Sequence, residues 1–193
     1  PFDSTTWVIA SDGDLEEGIS GEAASLAGTQ KLSDLVVIWD DNRISIEGDT
    51  GVAFTEDVAA RYRAYGWHVQ RVDLASDGSV DIEALDMAMS AARAHQDAPS
   101  LIQLRTVIAW PAPTLQNTGK SHGSALGAAE IAATKVALGL DPERDFAVDD
   151  DVLAHAREVG LRGVALRSAW ETQYQAWRTG NGAAAELLDR LVR

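Results

Sequence analysis

Four short runs of apolar and β-branched residues punctuate the first half of the chain: residues 6–10 (TWVIA), 35–39 (LVVIW), 68–72 (HVQRV) and 101–107 (LIQLRTV). Between them the period lengthens. Residues 20–30 place Ala23, Leu26 and Ala27 along one stripe, and 57–65 space Val58, Tyr62 and Tyr65 by four and three. Residues 81–94 line up Ile82, Leu85, Met89 and Ala92. Spacings of three and four are those of an amphipathic helix, whereas short continuous apolar runs suit buried strands. Strands alternating with helices predict an α/β fold, a doubly wound and mostly parallel sheet with helices on both faces.

The pattern changes after Val107. Residues 108–127 carry Pro111, Pro113, Gly119, Gly123 and Gly127 and read as a long irregular loop, a feature more often functional than idle in compact domains. Beyond it, residues 128–138, 151–159, 168–177 and 183–192 read as helices, with Ser168 and Glu171 as an S-x-x-E capping box opening the third. The expected organisation is an α/β domain over 1–139 followed by a helical extension or connector over 140–193. The chain opens on Pro1 and passes almost at once into a strand-like run, which suggests a piece of something longer.

Composition narrows the chemistry. The 193 residues carry 16 Lys+Arg against 30 Asp+Glu, a net charge of −14, so a polyphosphate backbone is repelled and nucleic acid is not an expected partner. With 46% hydrophobic and 24% charged residues the chain is too apolar for disorder. The absence of cysteine excludes disulfides, thiolate metal sites and cysteine nucleophiles, and fits a reducing, cytoplasmic setting. No apolar run approaches the ~20 residues that span a bilayer, so no membrane is expected. A phosphorylated ligand on so acidic a chain needs a cation or backbone amides to offset the charge.

Two strand ends are chemically loaded. The first strand runs into Ser11-Asp12-Gly13-Asp14-Leu15-Glu16-Glu17-Gly18, the second into Asp40-Asp41-Asn42-Arg43-Ile44-Ser45-Ile46. Ligands of open α/β sheets sit at the carboxyl ends of strands, and a right-handed crossover brings both segments to the same edge. Asp12 and Asn42 then offer a carboxylate and an amide oxygen, with a backbone carbonyl near Ile44 as a third. Hard oxygen donors of this kind suit Mg²⁺ when a diphosphate and water complete its octahedron. Gly13 lets the backbone approach that diphosphate without an intervening Cβ.

A D-G pair after one strand and an asparagine after the next resembles the thiamine diphosphate-binding motif. The longer stretches SDGDLEEGISGEAASLAGTQKL, DDNRISIEGDT, FTEDVAARYRAYGWHV and TGKSHGSALG resemble transketolases, those of actinobacteria most. The resemblance is close from Trp7 to about Gly139 and looser over the helical tail. It implies the thiamine diphosphate-binding fold and transfer of a two-carbon ketol unit from a ketose phosphate to an aldose phosphate, with sugar phosphates as substrates. Asp12, Asn42 and the main-chain carbonyl of Ile44 would ligate Mg²⁺ (or Ca²⁺ or Mn²⁺), and Gly13 would lie against the cofactor's diphosphate. Ile44 and Ile46 would pack on the cofactor. Glu17 matches a buried glutamate of a carboxylate network between subunits, and His122 a histidine beside the cofactor and the reacting oxygens. The resemblance also implies a homodimer and places the pyrimidine-binding and C-terminal domains outside this chain, so the isolated chain is expected to be incomplete and inactive. Two positions depart from the family pattern: Ser11 stands where glycine is usual, and Gly119 where a second histidine is frequent.

Plainer readings stand beside these. Asp12-Gly13 alone suits a strand-to-helix turn. Asp14 and Glu16 suit solvated or first-turn helix charges, and an EF-hand loop fails because Glu17 occupies its glycine position. Glu17 could be a first-turn carboxylate, and His122 an exposed loop histidine. His68, His95 and His155 read as strand-edge or helix-surface residues. Trp67, Trp170 and Trp177 read as packing residues, and Asp149-Asp150-Asp151 as a helix-start cluster. Other readings are 1-deoxyxylulose-5-phosphate synthase, a 2-oxo acid dehydrogenase component, and a non-catalytic diphosphate-binding module.

Overall fold

A computed structural model describes residues 4–46 and 48–192. It divides into two compact units, Ser4–Glu143 and a second containing the residues from Arg144 onward. In the first, β1 (Thr6–Ser11) leads through α1 (Asp12–Glu16) and α2 (Gly18–Gln30) to β2 (Leu35–Asp41). A small antiparallel ribbon follows, β3 (Ile44–Ser45) with β4 (Gly48–Asp49), and then α3 (Val58–Ala64), β5 (His68–Val72), α4 (Ile82–Ala94) and β6 (Ser100–Arg105). The segment after β6 holds the four-residue α5 (Lys120–Gly123) and then α6 (Ala128–Ala137).

The sheet has the order β1-β2-β6-β5 and every neighbouring pair is parallel. Period-two alternation splits its apolar residues between two cores. Val37, Trp39 and Leu101 face Leu15, Ala24, Ala27, Val58, Tyr62 and Trp67 from α1–α3 and the turn after α3. Val36, Val72 and Ile102 face Ala88 and Ala92 of α4. Val36, Leu101 and Ile102 are fully buried, each contributing about 1.5–3 kcal/mol of transfer free energy. Helices therefore cover both faces, as the alternation of runs predicts.

Several details differ from the expected pattern. β1 lies at the sheet edge, so Ile9 is 80% exposed despite its continuous apolar run. In α2 the buried stripe is Ala24 and Ala27, with Ala23 and Leu26 facing outward. The reason is close approach: a Cβ on Gly28 would lie 2.0 Å from the Tyr65 carbonyl oxygen, so α2 meets its neighbour through its smallest residues. In α4, Leu85, Met89 and Ala92 turn inward while Ile82 stays exposed.

In the second unit the two helices expected over 151–159 and 168–177 are one, α7 (Asp150–Gly180), followed by α8 (Gly182–Leu191). The Ser168–Glu171 capping box does not form. Nothing between the two segments breaks the backbone ladder, and the box residues work within the helix: Ser168 accepts from Thr172 Oγ1 at 3.2 Å through its carbonyl, while Glu171 pairs with Arg167 at 3.0 Å and with Gln175 at 2.9 Å. Asp149 is the N-cap and Asp150 and Asp151 fill the first turn, where the helix dipole favours them. Arg178 closes the hairpin with a two-pronged pair to Asp189, both contacts at 2.8 Å. Trp170, Tyr174 and Trp177 stack along α7 at centroid spacings of 4.8 and 5.9 Å.

Candidate functional site

Asp12 is the first residue of α1, set at the carboxyl end of β1 and only 6% exposed. Its two carboxylate oxygens have separate jobs. Oδ1 accepts from the Trp39 indole at 2.9 Å, and Oδ2 accepts from the backbone amide of Arg43 at 2.8 Å. Asn42 Oδ1 accepts from the next amide, that of Ile44, at 2.8 Å. The carboxylate of the first strand end and the carboxamide of the second therefore engage successive amides of one turn. Arg43 adopts a left-handed conformation there, φ 62°, an unusual backbone for a side chain of its size.

That turn is braced from below by Asp41, which is 2% exposed. Its carboxylate accepts from Gln103 Nε2 at 2.7 Å and Arg105 Nη1 at 3.1 Å, and its carbonyl accepts from the same Arg105 nitrogen at 2.6 Å. Asp40 is bonded to the Thr106 hydroxyl. These supports come from β6, the strand next to β2, and from Thr106 just beyond its end, so they depend on the strand order. The doubled Asp40-Asp41 at a strand end is their only trace in the sequence.

Burial is the main influence pushing the Asp12 carboxyl above its usual range, and the neighbouring charges of Asp41 and Asp40 act the same way; the bonds from Trp39 and Arg43 oppose them. An ionised Asp12 is thus a buried anion among other anions, an arrangement that a cation relieves. Each of its oxygens keeps a lone pair beyond the bond it accepts. The donors at this turn are all oxygen, the preference of Mg²⁺ or Ca²⁺. A Cβ on Gly13 would meet only Ser11 Oγ, at 3.9 Å, so nothing inside the chain needs that glycine and the space above it is open to a ligand. The residues present fit a divalent cation with a diphosphate. Among the described residues no cluster of three or more His, Cys, Asp or Glu side chains could hold a metal, so a cation here would need amide, carbonyl and ligand oxygens beside the Asp12 carboxylate.

Ser11 is the N-cap of α1. Its hydroxyl accepts from the Asp14 amide at 3.2 Å, while Asp14 Oδ2 accepts from the Ser11 amide and hydroxyl, both at 2.8 Å. Asp14 is therefore a partner in a reciprocal cap, and these bonds hold its carboxyl below the usual range. Ser11 is thus a favoured N-cap residue in its capping position, one that glycine also fills well. Ser11→Ala is expected to cost about 1 kcal/mol and Ser11→Gly only a few tenths, read from denaturant midpoints. Equal losses would show that the hydroxyl does not cap.

The other expected residues are dispersed. Glu17 is exposed at the junction of α1 and α2 and lines an open cleft with Glu22 and Arg61, so within this chain it is not buried. Ile44 is 8% exposed, whereas Ile46 is 74% exposed and faces a cleft of about 510 Å³ shared with Thr114, Leu115, Thr118, Gly119 and Lys120. His122 sits on α5, exposed, its amide bonded to the Gly119 carbonyl at 3.1 Å. His68 and His95 have partners after all: their rings stack at 4.4 Å and His68 Nδ1 lies 3.2 Å from Ser100 Oγ. Burial, with His95 second, holds the His68 imidazole below its usual range.

The model of the transketolase thiamine diphosphate-binding domain matches residues 1–193. The chain belongs to this family. Its relatives include the transketolases of Mycobacterium leprae, 51% identical over 192 residues, and of Mycobacterium tuberculosis, 50% identical over 192; each alignment covers 100% of this chain and 27% of the relative. The fold superposes on Pichia stipitis transketolase in complex with sedoheptulose-7-phosphate with TM-score 0.88 and 39% identity, over 97% of this chain and 27% of that one. Transketolase from Leishmania mexicana gives TM-score 0.85 and 38% identity, over 93% and 26%. The chain thus spans about a quarter of the length of these transketolases. Among the described residues no helix is long and apolar enough to cross a membrane.

Proposed function

We propose that this chain supplies the diphosphate-side half of the cofactor site of a transketolase that moves a two-carbon ketol unit from a ketose phosphate to an aldose phosphate. One observation carries the reading: Asp12 and Asn42, thirty residues apart, meet on successive amides of one turn at the carboxyl edge of the sheet. Asp12, Asn42 and the carbonyl of Ile44 would hold Mg²⁺, with Ca²⁺ or Mn²⁺ as substitutes, and Gly13 would admit the diphosphate. Thiamine diphosphate, once bound, supplies the electronic chemistry of carbon–carbon bond cleavage and formation. The chain's own work is to hold the cation against the diphosphate, exclude water from the buried side of Asp12, and present His122 for proton transfer or hydrogen bonding at the sugar oxygens.

Residues 1–139 would form part of the diphosphate-binding domain and 140–193 a connector, with the pyrimidine-binding and C-terminal domains in the remainder of the protein. The exposed position of Glu17 supports a carboxylate covered by a second subunit in a homodimer. The cytoplasm is the compartment that fits a cysteine-free sugar-phosphate enzyme. The full-length protein, given thiamine diphosphate and Mg²⁺, is expected to turn over xylulose 5-phosphate with an aldose phosphate acceptor. The chain 1–193 alone is expected to give no turnover above background. A full-length protein that lacks ketol transfer, or an isolated chain that matches it, overturns the reading.

A further inference from the structure

Glu130 lies in the first turn of α6, and its carboxylate reaches back fifteen residues into the irregular segment after β6. Oε1 accepts from the amides of Thr114 at 2.7 Å and Leu115 at 2.9 Å, and Oε2 accepts from the Thr114 hydroxyl at 2.8 Å. These bonds hold its carboxyl below the usual range, the Thr114 amide contributing most. Gly127, the N-cap of α6, has φ 88°, a conformation that an L side chain rarely adopts; it sets the direction in which α6 leaves the loop.

The residue Glu130 grips is itself a junction. The Leu115 carbonyl accepts from Thr118 Oγ1 at 2.7 Å and from the Ser121 hydroxyl, and those two hydroxyls lie 3.2 Å apart. Leu115 is thus held at its N–H by Glu130 and at its C=O by Ser121, the neighbour of His122. The same peptide segment forms the wall of the cleft that faces Ile46. A carboxylate fixes the near side of Leu115, a hydroxyl of α5 its far side, and α5 carries Lys120 and His122.

We propose that Glu130 is a positioning residue for the catalytic cleft, locking residues 114–123 so that α5 presents His122 toward the substrate. This deepens the transketolase reading and rests on it. It also explains why a segment rich in Pro and Gly holds one shape: three bonds to a charged acceptor replace the backbone ladder that a helix or strand would supply.

The test uses the full-length protein. Amide hydrogen exchange in the peptide spanning 112–118 is expected to accelerate at least about tenfold in Glu130→Ala, because the charge-assisted bonds to two of its amides are gone. In the same variant kcat/KM for xylulose 5-phosphate is expected to fall by roughly 10–100-fold, since a displacement near 1 Å at a reacting centre costs on the order of 10²-fold. The affinity for thiamine diphosphate with Mg²⁺ is expected to stay within about threefold, because Asp12 and Asn42 are untouched. Glu130→Gln keeps an oxygen for both amides and is expected to recover most of the loss. Ser121→Ala acts on the same Leu115, so its effect on kcat/KM is expected to be less than additive with Glu130→Ala.

Unchanged exchange in Glu130→Ala overturns the clamp. Faster exchange with unchanged kcat/KM overturns the positioning role, as does an equal loss in the Ala and Gln variants. The exchange measurement needs no activity, so failure of the clamp is distinguishable from a wild-type protein that performs no ketol transfer.

Discussion

Asp12→Ala in the full-length protein is expected to weaken thiamine diphosphate binding in Mg²⁺ by 10²-fold or more, beyond the roughly 10–100-fold typical when a group that merely supports a metal ligand is lost. Two physical effects are superimposed and can be separated. Removing the carboxylate takes away the one anionic protein ligand of the proposed cation. It also strands the indole N–H of Trp39 and the amide of Arg43, each a donor whose loss of partner costs about 1–3 kcal/mol when buried. A fall in thermal stability alone would reflect the second effect. Asn42→Ala strands one donor, the Ile44 amide, where Asp12→Ala strands two, so its effect on stability is expected to be smaller while its effect on the cation remains. Calorimetric titration of cofactor at several Mg²⁺ concentrations, alongside melting curves, reads both. If Asp12→Ala and Asn42→Ala leave the Mg²⁺ dependence unchanged, the metal assignment is wrong whatever the melting curves show.

The four strands of the parallel sheet and their order of appearance are legible because each is a short apolar run between polar turns, and β5 (His68–Val72) coincides with its run, whereas the two-residue strands β3 and β4 leave no such run. That Asp12 and Asn42 converge on one turn is legible for a different reason. Both lie immediately after a strand, and the rule that ligands gather at strand carboxyl ends needs no knowledge of strand order. The supports of Asp41 are hidden because they depend on that order. Gln103 and Arg105 reach Asp41 only because β6 inserts between β2 and β5. Glu130 was hidden because it looks like any first-turn helix acid, and its partners are backbone amides, which carry no residue-type signal. The continuity of α7 is not legible because a capping-box pattern also occurs within helices, where its members satisfy i,i+4 partners instead.

Gly28→Ala is expected to destabilise the domain by about 3 kcal/mol or more, at the upper end of overpacking effects, because the added Cβ would stand 2.0 Å from a carbonyl oxygen of the backbone. A backbone atom cannot swing aside as a side chain can, so either α2 or the turn at Tyr65 must move. Movement of α2 also strains the bond from the Trp67 indole to the Ala24 carbonyl, 2.8 Å, and the packing of Ala24 and Ala27 against the sheet. Gly18→Ala, where an added Cβ meets nothing within 4 Å, is the matched control and is expected to be neutral or slightly stabilising. Denaturant unfolding of the two variants beside the parent measures the difference, and equal midpoints would refute the close-approach argument. The consequence reaches the site by a short route. α1 is joined to α2 through Glu17 alone and is tied to α3 by Arg61, whose Nη2 donates to the Leu15 carbonyl at 2.8 Å. A displaced α2 therefore pulls on the helix whose first residue is Asp12. Gly28→Ala should lower cofactor affinity in proportion to its structural damage, whereas Asp12→Ala should lower it far beyond that proportion. The ratio of the two losses separates a residue that holds the scaffold from one that holds the ligand.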